Sequence, residues 1–252
     1  MREIAYAKIN LALHVRAREA DGYHRIETIF AFCEDGDVVE ARESESLSLA
    51  VTGPFAAHLG NESGNLVLEA ARALGVKAAL TLDKRLPVAA GLGGGSADAA
   101  ALLRLFGGSM EVAAALGADV PACLLSRTTR GEGRGDAIEP VEIAGLAGTP
   151  VLLVNPGVPL STAAVFRAWD GIDGGPLGDW QAGRNDLEAP ARNLVPAIGE
   201  LLHSLSSARI ARMSGSGATC FGLFDSAAAR DAAAAEIRAA RPGWWVSQTR
   251  LR

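Results

Sequence analysis

Apolar and polar residues alternate over residues 5–16. Ala5, Ala7, Ile9, Leu11, Leu13 and Val15 fall on one face, and Tyr6, Lys8, Asn10, Ala12, His14 and Arg16 on the other. Period two over that length predicts a β-strand with one buried face. Asp21-Gly22 marks a turn. Residues 25–32, 38–41 and 47–52 have strand composition, with Leu47, Leu49 and Val51 on one face of the last. No helical stretch separates these strands, so antiparallel pairing is expected. Residues 66–74 read as a helix stopped by Gly75, and a short strand follows at 79–83. A glycine-rich loop then opens into a helix over 97–106, and Ser109 caps a second that ends near Gly117. Residues 130–136 form a charged, glycine-rich turn.

The pattern changes around residues 145–150, and a domain boundary is placed there, giving units of residues 1–147 and 148–252. The second unit reads as a strand at 151–154, helices at 162–169 and 192–205, a strand before Ser214, a strand at 220–224, an alanine-rich helix at 227–240 and a strand at 244–251. That closing strand is left open to return to the first unit. Residues 171–183, rich in Gly and Asp, read as a mobile loop. The order of elements suits a two-domain α+β protein with mostly antiparallel sheets.

Composition narrows the function. With 24 Lys and Arg against 29 Asp and Glu, the net charge of −5 argues against nucleic acid as a partner, which needs a basic face. Three widely spaced cysteines, Cys33, Cys123 and Cys220, suggest neither a disulfide framework nor a zinc site. No apolar run is long enough to span a membrane, and Met1-Arg2-Glu3 leads straight into a polar-studded strand rather than a secretory leader. A cytoplasmic protein acting on a small molecule, with no membrane partner, is expected.

The strongest chemical signal is Gly91-Leu92-Gly93-Gly94-Gly95-Ser96. Glycines let backbone amides approach a ligand, and the helix that follows adds free amides and a positive dipole end, a combination that binds phosphate. The segment lacks the Gly-Lys-Ser/Thr of a Walker loop and the last glycine of GxGxxG. Taken alone, its competing reading is a flexible turn before an alanine-rich helix, which so many glycines would disfavour through entropy. Periodicity alone makes Lys8 and Asn10 part of a solvated sheet face, Asp119 a helix cap before Pro121, and Tyr23 and His24 turn residues. The histidines show no metal-ligand spacing, and no GxSxG elbow is present.

Taken together and in order, these segments resemble one family. Pro87-Val88-Ala89-Ala90-Gly91-Leu92-Gly93-Gly94-Gly95-Ser96-Ala97 resembles the phosphate loop of the GHMP small-molecule kinases. Ala7-Lys8-Ile9-Asn10-Leu11, Asp21-Gly22-Tyr23-His24, Gly117-Ala118-Asp119-Val120-Pro121 and Ser214-Gly215-Ser216-Gly217-Ala218 are similar to a branch of it whose substrate carries cytidine diphosphate. The resemblance covers nearly the whole chain. It implies a ribosomal protein S5 domain 2-like N-terminal domain that binds ATP, a ferredoxin-like C-terminal domain, and a cleft between them. It implies ATP-dependent phosphorylation of the 2-hydroxyl of a cytidine-diphosphate-linked methylerythritol in the non-mevalonate isoprenoid pathway, with Mg²⁺ accompanying ATP.

Carried over residue by residue, Asp119 is the base and Lys8 the cation that favours its charged form and the developing alkoxide. Pro87, Gly91, Leu92, Gly93, Gly94, Gly95, Ser96 and Ala97 bind ATP, the backbone of Gly91 to Ser96 holding its phosphates. Asn65 and Leu66, with the 84–86 edge, line the adenine pocket. Tyr23 and Phe166 sandwich the cytosine, His24 reads its edge, and Asn10 and Thr162 line the substrate. Ser96 is the nearest protein contact for the ion, whose ligands are left unassigned. Asp98 departs from the pattern, standing where other members carry Asn or a neutral residue, and a carboxylate there either repels triphosphate or helps hold the ion. A kinase for mevalonate or homoserine would have no use for Tyr23, His24 and Phe166, and a nucleotide sensor none for both Lys8 and Asp119.

Overall fold

A computed structural model of the chain describes residues 1–59 and 64–252. Two sheets organise it. The first contains strands β1 (Arg2–Arg18), β2 (His24–Glu43), β3 (Ser48–Thr52), β4 (Ala78–Asp83), β5 (Thr129–Glu132) and β6 (Ala137–Pro140). Its path runs β3-β4-β2-β5-β6, with β1 paired antiparallel to β2. Helices α1 (Leu66–Ala73), α2 (Gly94–Phe106), α3 (Met110–Leu116) and α4 (Val120–Leu125) cover one face. Between sheet and helices lies a core of Phe30, Phe32, Val39, Leu80, Leu82, Val67, Leu102, Leu103 and a row of α2 alanines. Small side chains at Ala97, Ala99, Ala100 and Ala101 let α2 sit close to the sheet.

The second sheet has the order β10-β7-β9-β8, using β7 (Pro150–Asn155), β8 (Ile210–Met213), β9 (Cys220–Leu223) and β10 (Trp245–Arg250). The closing strand thus pairs with β7, and the chain reaches the first sheet just beyond it, through a bridge from Leu251 to Cys33 and the Arg252 amide donating to the Phe32 carbonyl at 2.9 Å. Helices α5 (Thr162–Arg167), α6 (Glu188–Leu194), α7 (Ala197–Ser204) and α8 (Ala227–Ala240) complete this half. A third core joins the halves: Ala7, Ile9 and Leu11 of β1 meet Val151, Leu153, Phe221 and Leu223.

Four local readings of the sequence are corrected. Strands expected at 25–32 and 38–41 are one strand, β2, passing through Gly36, where a Cβ would strike the backbone of Ala5. Irregularities in the β1–β2 register at Tyr6/Lys8, Asn10/Ala12 and Val15/Ala17 bend the pair. β3, expected to pair antiparallel with the strand before it, pairs instead with β4 in parallel, since α1 intervenes between those two and crosses over. The helix expected at 192–205 is broken into α6 and α7 at Val195-Pro196, since proline cannot donate within a continuing helix. Residues 171–183 contain no regular element yet are anchored. His14 bonds the Gly175 carbonyl at 3.1 Å, Arg16 donates to Asp173 at 2.8 Å, and the amide of a buried Leu177 donates to Glu27 at 2.7 Å.

Candidate active site

The polar face of β1 is not solvated. Lys8 is 4% and Asn10 2% exposed, because the glycine loop and the turn after β8 close over them. The Lys8 amide donates to the Leu92 carbonyl at 3.0 Å. The Asn10 amide donates to Ser214 Oγ at 3.2 Å, and that hydroxyl donates to the Gly91 carbonyl at 2.8 Å. Asn185 Nδ2 donates to the carbonyls of Met213 and Gly215, both at 2.8 Å, and so fixes the Ser214 turn. The first strand, the glycine loop and the second domain are therefore tied at one point.

A buried ammonium needs a counter-charge and acceptors. Lys8 Nζ lies 3.0 Å from Asp119 Oδ2 and donates to Asn10 Oδ1 at 3.0 Å, and the Phe30 ring centroid lies 4.9 Å away. Asn10 Nδ2 donates to Thr28 Oγ1 at 2.8 Å, which donates to the Ala12 carbonyl at 2.6 Å and fixes the amide's orientation. Asp119 precedes α4, but its side chain makes no cap hydrogen bond. It turns to Lys8 and stays about one-third exposed, facing the cleft. A carboxylate left open on one side can accept a proton from a substrate hydroxyl.

The glycine loop enters the same space. Gly93 has φ +63 and starts α2, and a Cβ on it would lie 2.9 Å from Lys8 Cε. Glycine is required there by conformation and by contact. The first intrahelical bond of α2 runs from the Ala97 amide to the Gly93 carbonyl at 2.8 Å, so the amides before it have no intrahelical acceptor, the arrangement that suits an anion. A cavity of about 410 Å³ is lined by Lys8, Asn10, Pro87, Gly91, Gly93, Gly94, Gly95, Ser96, Leu66, Asp119, Thr162 and Phe166. Leu92 and Ala97 are buried core residues and are not in the lining. Asn65 is not in the lining, and its side chain caps α1 by accepting from the Val67 amide at 2.9 Å.

Asp98 neither faces the cavity nor stands free. It is 2% exposed, accepts from Lys84 Nζ at 2.7 Å, and shares that ammonium with Asp37, which also accepts from the Arg85 and Leu86 amides at 2.5 and 2.7 Å. Burial pushes the Asp98 carboxyl up to about 7 against the pull of Lys84, and the neighbouring Asp37 adds to the rise. The cluster pins the strand-to-loop corner at 84–86 to the first turns of α2.

A second cavity, about 580 Å³, adjoins the first and is lined by Asp21, Tyr23, His24, Ala118, Arg134, Thr162, Phe166 and Arg167. Tyr23 is 58% exposed. The Phe166 ring contacts His24, with centroids 4.9 Å apart, while the Arg134 guanidinium lies 4.1 Å from the Tyr23 ring centroid. Tyr23 and Phe166 therefore flank one cavity from two domains without forming an aromatic pair. His24 Nε2 accepts from Arg18 at 3.1 Å, which leaves the ring proton on Nδ1. Burial, with Arg18 beside it, holds the imidazole below its ordinary range and so neutral at pH 7. Thr28, Asp37 and Arg134 were not singled out as site residues in the sequence. The charged Asp37 amid strand residues, and the Arg between Gly133 and Gly135, were the available signals.

A carboxylate paired with a buried lysine beside a glycine-rich helix start is an arrangement that suits a small-molecule kinase, and the comparisons with known proteins show the family. The GHMP kinases N terminal domain matches residues 65–127, and the GHMP kinases C terminal model matches 171–242. The chain belongs to the GHMP kinases. Within them it belongs with the 4-diphosphocytidyl-2-C-methyl-D-erythritol kinases. It is 55% identical to the one from Rhizorhabdus wittichii, covering 99% of this chain and 94% of that protein. It is 49% identical to the one from Sphingopyxis alaskensis, covering 100% and 99%. A crystal structure of 4-(cytidine 5'-diphospho)-2C-methyl-D-erythritol kinase superposes with a TM-score of 0.82 at 34% identity, covering 99% of each chain.

Proposed function

We propose that this chain transfers the γ-phosphoryl group of ATP to the 2-hydroxyl of 4-diphosphocytidyl-2-C-methyl-D-erythritol, giving the 2-phosphate and ADP in the non-mevalonate isoprenoid pathway. The observation that carries the reading is the Lys8–Asp119 pair, at 3.0 Å, standing between the glycine loop and the cavity flanked by Tyr23 and Phe166. The α2 amides hold the triphosphate against Gly93, Gly94, Gly95 and Ser96. Asp119 takes the proton of the 2-hydroxyl as its oxygen attacks the γ-phosphorus, and the bond from that phosphorus to the ADP oxygen breaks. Lys8 holds the attacking oxygen and offsets the charge that develops on it. Tyr23 and Phe166 stack the cytosine, and the Nδ1 proton of His24 is offered to an acceptor on its edge.

Mg²⁺ accompanies ATP in this reading. Among the described residues no cluster of three carboxylate, His or Cys side chains could hold a metal. Asp98 is enclosed by Lys84, so the Ser96 hydroxyl is the side chain left beside the phosphates. That fits an ion which takes most of its ligands from phosphate and water and supplies charge neutralisation on them. Among the described residues no helix is long and apolar enough to cross a membrane. The reading places the reaction in the cytoplasm, with a small molecule and no nucleic acid as partner, and assigns residues 1–147 to ATP and 148–252 to the second wall of the cleft. ATP consumption measured with the cytidine-linked alcohol, mevalonate and homoserine tests it. Turnover is expected with the first alone, and turnover with either of the others but not the first overturns it.

A further inference from the structure

Ile26, Arg134, Thr162 and Phe166 line both cavities. Arg134 is the one charged residue among them. Lys8 is committed to Asp119 and Asn10, and Lys84 to Asp37 and Asp98, while Arg167 lines the outer cavity alone. Whatever joins a nucleoside in the outer cavity to an alcohol beside Asp119 must pass Arg134.

The guanidinium is held and half free. Its ion pairs with Asp21 and with Glu19, the latter at 3.3 Å, both run through Nη2. Nε and Nη1, three N–H donors, have no acceptor among the described residues. The Arg134 amide donates to Asp136 Oδ1 at 3.0 Å in a turn where Gly133 and Gly135 have φ +68 and +94. The turn lies beside the carboxylate of the inner cavity, for a Cβ on Gly135 would be 4.0 Å from Asp119 Oδ1. One nitrogen of the fork is thus held by carboxylates and the guanidinium lies over the Tyr23 ring, while the other two nitrogens have no acceptor among the described residues, on a residue that lines both cavities.

We propose that Arg134 binds the diphosphate linking cytidine to the sugar alcohol, so that this enzyme selects a nucleoside diphosphate ester over a nucleoside or a free polyol. A planar fork with adjacent donors suits phosphate oxygens better than an ammonium does. The inference rests on the function proposed above and adds a specificity-determining residue to it.

Calorimetric titration of cytidine, CMP and CDP into the wild type, Arg134→Gln and Arg134→Lys tests this. Arg134→Gln should weaken CDP about ten- to a hundredfold, the range for losing charge-assisted hydrogen bonds, while cytidine stays within about twofold of wild type. Arg134→Lys should recover part of the loss. An unchanged melting temperature shows that the variants fold. Equal weakening of all three ligands would mean that Arg134 only steadies Tyr23, and no weakening that it is a surface charge; either overturns the proposal. A wild type that binds none of the three ligands overturns the function on which the proposal rests, and the proposal with it.

Discussion

The two sides of the cleft are built differently. On the phosphoryl-transfer side the charged groups are inside the protein: Lys8, Lys84 and Asp98 are each 4% exposed or less, and each is paired. Lys8 stands on a 17-residue strand, Asp98 on a 13-residue helix and Lys84 at the corner just after β4, and Ser214 and Asn185 tie the first strand across the chain. On the nucleoside side the working groups sit on a turn, on a second turn and on a six-residue helix, and Tyr23 is mostly exposed. The difference separates two demands. Charge stabilisation needs dipoles and ions that do not reorganise during the reaction, and burial in a rigid sheet supplies that. Recognition of a base needs flat surfaces that close on a guest, and in the proposed function Tyr23 and Phe166, from opposite sides of the outer cavity, would supply those.

The comparison breaks most sharply at Asp119. Asp119→Asn should lower kcat by about 10²- to 10⁴-fold, the usual cost of losing a general base, and leave the cytidine cavity's affinity for CMP unchanged in calorimetry. Gly93→Ala is the next largest, because it forces a Cβ against Lys8 Cε in a left-handed conformation. That conformation alone costs roughly 1–2 kcal/mol, so the melting temperature should fall and ATP affinity with it. Gly95→Ala sharpens the point, since its Cβ would meet only Leu66 Cδ1 at 3.7 Å, and its melting temperature should stay near wild type.

Phe166→Ala tests the other side. Stacking is worth about 1–3 kcal/mol per base, so CMP binding should weaken about ten- to a hundredfold while ATP binding is untouched. A large loss of melting temperature with no ligand selectivity would make Phe166 a packing residue instead.

The smallest effect concerns Asp98. Its folded-state carboxyl titrates at about 7, above its ordinary 3.8. The folded chain therefore holds more protons than the unfolded one between about pH 4 and 7, and this group lowers stability as pH rises through that window. In Asp98→Asn the fall in melting temperature from pH 5 to pH 8 should be shallower than in wild type. Equal slopes would show that Asp98 is an ordinary ionised partner of Lys84.

Much of this was legible in the sequence, and what was hidden had a common cause. Period two at residues 5–16 identified the first strand and put Lys8 and Asn10 on one face, but periodicity is local. What covers that face is Ser214, 204 residues from Asn10, so only the resemblance to a kinase family pointed to buried chemistry. Asp119 before Pro121 had the pattern of a cap, and nothing in the spacing could show that its side chain turns away from its helix. The run Glu34-Asp35-Gly36-Asp37 looked like a break between strands, yet Asp37 points inward to Lys84 and the strand continues. Residues 171–183 had the composition of a free loop, and partners at His14, Arg16 and Glu27, all distant in the chain, anchor it.

The most direct measurement is ³¹P NMR of the wild-type protein with ATP, Mg²⁺ and 4-diphosphocytidyl-2-C-methyl-D-erythritol. The account predicts that the γ-phosphate resonance declines as one phosphomonoester resonance grows in equal amount, with the substrate's own diphosphate resonances retained. Growth of inorganic phosphate alone, or loss of the cytidine-linked diphosphate, would contradict it.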